Sequence, residues 1–201
     1  MKFINLIAAL SLVLFIGCGG GSSDQQTETS GESQQTEMAG DDVRTIEMVG
    51  IDQMKFVVDG EQEGITVGDS TGQGMVRLES ITANPGEQIR IILTTKSDLP
   101  ASAMAHNWVL LTMEADVQAF ANAAMKARDN DYIPADMTDQ IIAQTGLAAG
   151  GETTEVTFTV PEETGEYEYI CTFTGHYTAG MKGILNVVES GSEAPATEEE
   201  M

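Results

Sequence analysis

The 201 residues carry 32 acidic and 9 basic side chains, a formal net charge of −23. That length suggests one domain with tails, and that charge argues against nucleic acid as a partner and against electrostatic adhesion to anionic lipid. With 2 cysteines and 2 histidines in the whole chain, any metal or redox chemistry must be built from very few side chains.

Residues 1–18 read as an export signal rather than as part of a fold. Lys2 supplies a short positive region, and Leu6 to Ile16 form an apolar run too short to span a bilayer. The run ends Phe15-Ile16-Gly17-Cys18, which resembles the cleavage box of bacterial lipoproteins, with Phe15 where Leu is usual. The resemblance implies that Cys18 becomes the lipidated first residue of the mature chain. An ordinary secretory signal with an incidental cysteine is the alternative, and either reading exports the protein. Residues 19–42 are Gly, Ser, Thr, Gln and six acids, with almost nothing apolar. Such a segment buries too little surface to offset its ordering entropy, so a flexible acidic tether is expected. Residues 189–201 repeat the theme as an acidic tail. Between them, residues 43–188 hold 21 acids against 8 bases.

This middle part reads as β. Short alternating runs at Val43–Gly50 and Gln53–Val58 are followed by longer ones, rich in Ile, Val and Thr, at Met75–Ala83 and Gln88–Thr95. Asn107–Met113, Thr153–Val160, Glu166–Cys171 and Lys182–Val188 complete a set of about eight strands. Turn signals such as Asn84-Pro85-Gly86 separate them, which points to a sandwich or barrel. Residues 59–74 show no periodicity and are expected to be loop. Ala115–Arg128 differs, with Val117, Phe120, Ala121, Ala124 and Met125 on the spacing of an amphipathic helix. Asp116 is placed in its first turn and Lys126 and Arg128 in its last, all favourable with the helix dipole. A further helical turn is expected around Asp136–Gln144, so that residues 115–145 form a small helical insertion on the β domain.

Cys171, His176 and Met181 lie within eleven positions, between two strand-like runs. Soft thiolate and thioether with nitrogen donors select copper, and two histidines, one cysteine and a long axial methionine describe a mononuclear blue-copper electron-transfer site. The second histidine that such a site needs can only be His106, in Ala105-His106-Asn107-Trp108. A Cys18–Cys171 disulfide would deprive the cluster of its charged ligand and is set aside. The thiolate gives the electron a covalent path, and two imidazoles support both Cu⁺ and Cu²⁺, so the ligands need not change with oxidation state. Asn107 is placed to fasten its strand to the Cys171 loop through Thr172.

The segment Tyr167-Glu-Tyr-Ile-Cys171-Thr-Phe-Thr-Gly-His176-Tyr-Thr-Ala-Gly-Met181-Lys-Gly resembles the copper loop of auracyanins and azurins. Asp52-Gln-Met-Lys-Phe56 and Met104-Ala-His106-Asn-Trp-Val-Leu110 resemble earlier segments of azurins. The resemblance, over about residues 44–188, implies a Greek-key cupredoxin β-sandwich. It implies His106, Cys171 and His176 as equatorial copper ligands and Met181 as the weak axial one. It also implies a distant carbonyl contact from Ala105, where azurins have Gly, and a Phe173 N–H donated to the cysteine sulfur. Four residues separate His176 from Met181, as in auracyanins and against three in azurins. Thr174 replaces the usual loop proline, and the azurin disulfide positions carry no cysteine. Around the outer edge of His176, the family's docking patch would fall on Met54, Met104, Phe173, Thr174 and Tyr177, although Met104 suits the core equally well.

The function expected is electron carriage rather than catalysis. The protein would move one electron at a single copper between redox proteins such as a c-type cytochrome, a cytochrome complex or a terminal oxidase or reductase. It would sit in a bacterial cell envelope, in the periplasm or on the cell surface, anchored to the lipid bilayer through Cys18. A copper enzyme needs further histidines that the chain lacks. Copper delivery or storage is the alternative, suggested by eleven methionines, but these are scattered along the chain.

Overall fold

The computed structural model describes residues 43–72 and 74–189. The signal segment, Cys18, the tether before Val43 and the tail after Glu189 therefore lie outside the described residues.

The strands are β1 (Arg44–Ile51), β2 (Lys55–Val58), β3 (Ile65–Gly72), β4 (Met75–Ala83), β5 (Gln88–Lys96), β6 (Ala105–His106), β7 (Val109–Leu111), β8 (Ile141–Gln144), β9 (Ala148–Ala149), β10 (Thr153–Thr159), β11 (Gly165–Ile170) and β12 (Lys182–Val187). The main sheet runs β10-β5-β1-β2-β4-β12-β11-β7-β8, with β3 added on β4, and β6 and β9 pair separately. β1 lies parallel to β5 and β12 parallel to β4, while the other pairs are antiparallel. The sheet folds over on itself as a β-sandwich with a barrel-like closure.

Alternation builds the interior. Ile89, Ile91 and Leu93 of β5 point inward while the residues between them stay half-exposed, and Ile46 and Met48 do the same on β1. They meet Phe56, Leu78, Ile81, Leu185 and Val187 from the other strands. Trp108 lies wholly buried between Phe158 and Tyr169, with ring centroids 5.6 and 5.5 Å away. Each such side chain contributes roughly 1.5–3 kcal/mol through its removal from water.

A second apolar layer explains why β7 has no alternation. Leu110 faces the main core, whereas Val109 and Leu111 face outward and are covered by Phe120 and Ala121 of α1 (Val117–Ala124), together with Ile133 and Ile170. A strand buried on both faces reads as a continuous apolar run.

The insertion is less helical than its sequence suggests. α1 begins two residues later than Ala115–Arg128 implies, with Asp116 as its cap rather than in its first turn: the Asp116 carboxylate accepts from Ala119 N–H at 2.9 Å. It ends at Ala124, so Lys126 and Arg128 lie beyond its last turn. Of Asp136–Gln144 only Thr138–Gln140 is helical, as a single 3₁₀ turn, and Ile141–Gln144 becomes β8 because β7 offers it an unpaired ladder edge. The expected loop at 59–74 also contains a strand. β3 pairs with β4 through three register shifts, and its Gly, Asp, Ser and Thr stay exposed or half-exposed, so no apolar period marks it. With β6 and β9, these additions raise the eight expected strands to twelve among the described residues.

Candidate metal centre

Two separate pieces of chain meet at one end of the sandwich. β6 presents His106 and is held by β9 through the pairs Ala105–Ala149 and His106–Ala148. The loop between β11 and β12 brings Cys171, His176 and Met181. Its backbone closes on itself: Cys171 N–H donates to Met181 O at 3.1 Å, and Met181 N–H to His176 O at 2.9 Å. Inside it, His176 N–H reaches Phe173 O at 3.0 Å and Gly180 N–H reaches Tyr177 O at 2.8 Å. The two reversals use Gly175 and Gly180, at φ +83° and +86°, where a side chain would be strained. These bonds set Met181, itself fully buried, beside Cys171.

The ligand atoms converge. Cys171 Sγ lies 3.4 Å from His176 Nδ1 and 3.9 Å from His106 Nδ1, and the three ligand atoms fall within 4.8 Å of one another. For metal–sulfur and metal–nitrogen bonds of about 2.3 and 2.0–2.1 Å at a tetrahedral angle, sulfur and nitrogen stand roughly 3.5 Å apart, so the spacing fits one shared ion. His106 is 0 % and His176 2 % exposed.

Burial decides the protonation states. It pulls the His106 imidazole down to about 3, aided by the neighbouring His176 charge and opposed by Asp52. It pulls His176 down to about 4. Both rings are therefore neutral at pH 7, each with a lone pair to give. Burial also pushes the Cys171 thiol up to about 12, against the backbone N–H groups of Asn107 and Phe173 that donate to its sulfur. The apoprotein thus keeps a neutral thiol, which a cation must deprotonate on binding. Two imidazoles, one thiolate and a buried thioether are the donor set of a copper electron-transfer site.

Asn107 ties the two pieces together. Its Oδ1 accepts from Thr172 N–H at 2.9 Å, its Nδ2 donates to Thr172 Oγ1 at 2.7 Å, and Nδ2 also approaches Asp131 O at 3.5 Å. Phe173 is 6 % exposed and packs between Tyr132 and His176, at 4.8 Å from each ring. Ala105 is buried beside His106. Of the other rim residues, Thr174 is exposed, Met54 and Tyr177 are half-buried, and Met104 is 5 % exposed, on the core side of the division its sequence left open.

Several supporting residues carry no sequence signal of their own. Thr145 Oγ1 accepts from Trp108 N–H at 3.0 Å, and Thr95 Oγ1 donates to Ala148 O at 2.9 Å, bracing the strands on either side of His106. Lys55 Nζ donates to Ala179 O at 2.5 Å, latching the metal loop to β2. Asp131 and Tyr132 adopt left-handed backbone at φ +48° and +60°, which turns Tyr132 onto Phe173. Single threonines and lysines are too common for a sequence to mark them.

Comparison with known proteins agrees with this chemistry. Residues 64–188 match the family described as copper binding proteins, plastocyanin/azurin family. Azurin-1 of Alcaligenes xylosoxydans xylosoxydans is 38% identical over 148 residues, covering 72% of this chain and 98% of that protein. Auracyanin-A of Chloroflexus aurantiacus is 41% identical over 109 residues, 53% of this chain and 63% of that protein. Among solved structures, auracyanin A, a "blue" copper protein from the same organism, superposes with a TM-score of 0.54 at 35% identity, covering 72% of this chain and 98% of that one. With its neutral His–Cys–His cluster and one copper ion as cofactor, the chain belongs to the plastocyanin/azurin family of copper-binding proteins and is a blue-copper electron-transfer protein.

Proposed function

We propose that the protein is a membrane-tethered shuttle, receiving single electrons from one redox protein and passing them to another through the outer edge of His176. The observation that carries this reading is the buried cluster itself, with His176 on a loop whose neighbours Thr174, Gly175, Thr178 and Ala179 are exposed. Copper bound there supplies a one-electron couple. The chain's part is to hold that couple still. The closed loop and the Asn107–Thr172 bonds keep the donor positions the same in both oxidation states, which keeps reorganisation small. Burial excludes water, and the N–H groups of Asn107 and Phe173 stabilise negative charge on the sulfur.

A c-type cytochrome, a cytochrome complex or a terminal oxidase or reductase would suit as donor or acceptor. The acidic surface favours a partner with a basic face. Cys18, carrying lipid, would keep the protein at the membrane on the periplasmic or outer face. The burial of His106, Cys171 and His176 argues for retention of metal rather than delivery, since none of the three is presented to a receiving protein.

The purified copper form should show an intense visible Cu²⁺–thiolate band and a reversible one-electron wave, and should exchange electrons with a c-type cytochrome in stopped flow. Loss of copper on reduction would overturn the carrier reading in favour of delivery. Recovery of a Cys18→Ser variant in the membrane fraction would overturn the lipid anchor.

A further inference from the structure

We propose that Gly50 is the positioning residue for His106: the side chain it lacks is the slot in which the imidazole lies. The inference rests on the reading of His106 as a copper ligand and adds the constraint that aims it.

Gly50 sits in the interior of β1, paired with Phe56 of β2 on one side and Thr95 of β5 on the other. Glycine there is unfavourable, because it costs more conformational freedom than other residues and brings no side chain to pack. It is absent from the glycines with positive φ, so no turn or left-handed backbone calls for it. Space does. A Cβ built at Gly50 would lie 2.5 Å from Cδ2, 2.7 Å from Cγ and 3.0 Å from Cβ of His106. Carbon atoms in contact stand at about 3.5–4.0 Å, so a methyl group would overlap the ring by about an ångström.

Neither side has room to yield. β1 is laced on both edges, through Val49–Val57 and Ile51–Lys55 to β2 and through Val49–Thr94 and Ile51–Lys96 to β5. His106 is fully buried, its backbone is paired to Ala148, and its ring lies 4.9 Å from the His176 ring. The freedom that remains is rotation of the imidazole, and rotation takes Nδ1 out of its place 3.9 Å from Cys171 Sγ. No described residue accepts a hydrogen bond from His106 Nε2. Ligating histidines are commonly aimed by such a bond; here the contact with Gly50 does that work.

The test is Gly50→Ala in the full chain, made with His106 present and in a His106→Gly background. With His106 present, Gly50→Ala should weaken Cu²⁺ binding by about 10- to 100-fold, the range seen for residues that orient ligands, and should shift the Cu²⁺–thiolate band. In the apoprotein it should lower the thermal midpoint when His106 is present and not in the His106→Gly background, where the methyl group occupies the space left by the ring. Wild-type affinity with an unchanged band would overturn the proposal, as would equal destabilisation in both backgrounds. If Gly50→Ala alone does not fold, a folded double variant supports the contact and an unfolded one overturns it. His106→Gly alone keeping wild-type copper affinity and colour would remove the ligand reading, and the proposal with it. The apoprotein comparison reads the contact separately from the metal.

Discussion

The loop carrying Cys171, His176 and Met181 keeps its shape with backbone bonds among its own residues, whereas His106 is held from several distant segments. On the loop side, the longest closing bond joins Cys171 to Met181. On the other side, Gly50 flanks the ring, Ala148 pairs with the backbone, Thr145 braces the next residue but one, and Thr172 meets Asn107. The difference teaches that a metal site can be half local and half global. The local half survives as a readable word in the sequence, while the global half exists only once the sandwich has closed.

The sharpest way to break the comparison is to remove the loop's one charged ligand. Cys171→Ser should abolish the visible band entirely while circular dichroism still reports a folded β-sandwich. A variant that keeps its colour would place the thiolate outside the site.

Acid tests both halves together. Both histidines titrate lower in the folded chain than their usual 6.5, at about 3 and about 4, because burial disfavours their charged forms. Between those values and 6.5 the unfolded chain binds more protons, so apoprotein stability should fall as pH drops from 6.5 toward 4. The slope is about 1.4 kcal/mol per pH unit for each histidine. Urea unfolding at several pH values measures it, with a His106→Ala/His176→Ala apoprotein as reference for the carboxylates. An identical slope in that variant would mean that the two rings are not the source.

Asn107→Ala cuts the seam between the halves. It leaves the buried Thr172 N–H without its partner, which costs about 1–3 kcal/mol, and it should also move the copper potential because the Cys171 end of the loop loses its brace. A change in urea midpoint with an unmoved potential would make the seam purely structural. Smallest is Lys55→Met, which unlatches Ala179 from β2. An exposed bond of this kind is worth about 1 kcal/mol or less, so the band should persist with a slight change in potential. A bleached protein would show that the loop does not hold itself.

Most of the sheet was legible because Ile, Val and Thr alternate wherever one face is buried, as in β1, β4 and β5. What escaped did so for physical reasons. β3 is bulged and half-exposed, so its sequence carries no apolar period. Ile141–Gln144 takes its conformation from the free edge of β7 and not from its own residues. Tyr132 holds left-handed backbone that its type rarely adopts, following Asp131, a type that tolerates it, and neighbours the sequence does not reveal stabilise the pair.

The sequence by itself determined the all-β class, the copper chemistry and the donor set, since the only two histidines and the one cysteine besides Cys18 leave little choice. Tertiary structure decided how those donors are aimed. Gly50 in its paired strand looks like an indifferent residue, Lys55 like a surface charge and Thr145 like any threonine. Each acquires a role only through atoms many positions away, because spacing along a chain records local geometry while packing between strands brings together residues that share no local pattern.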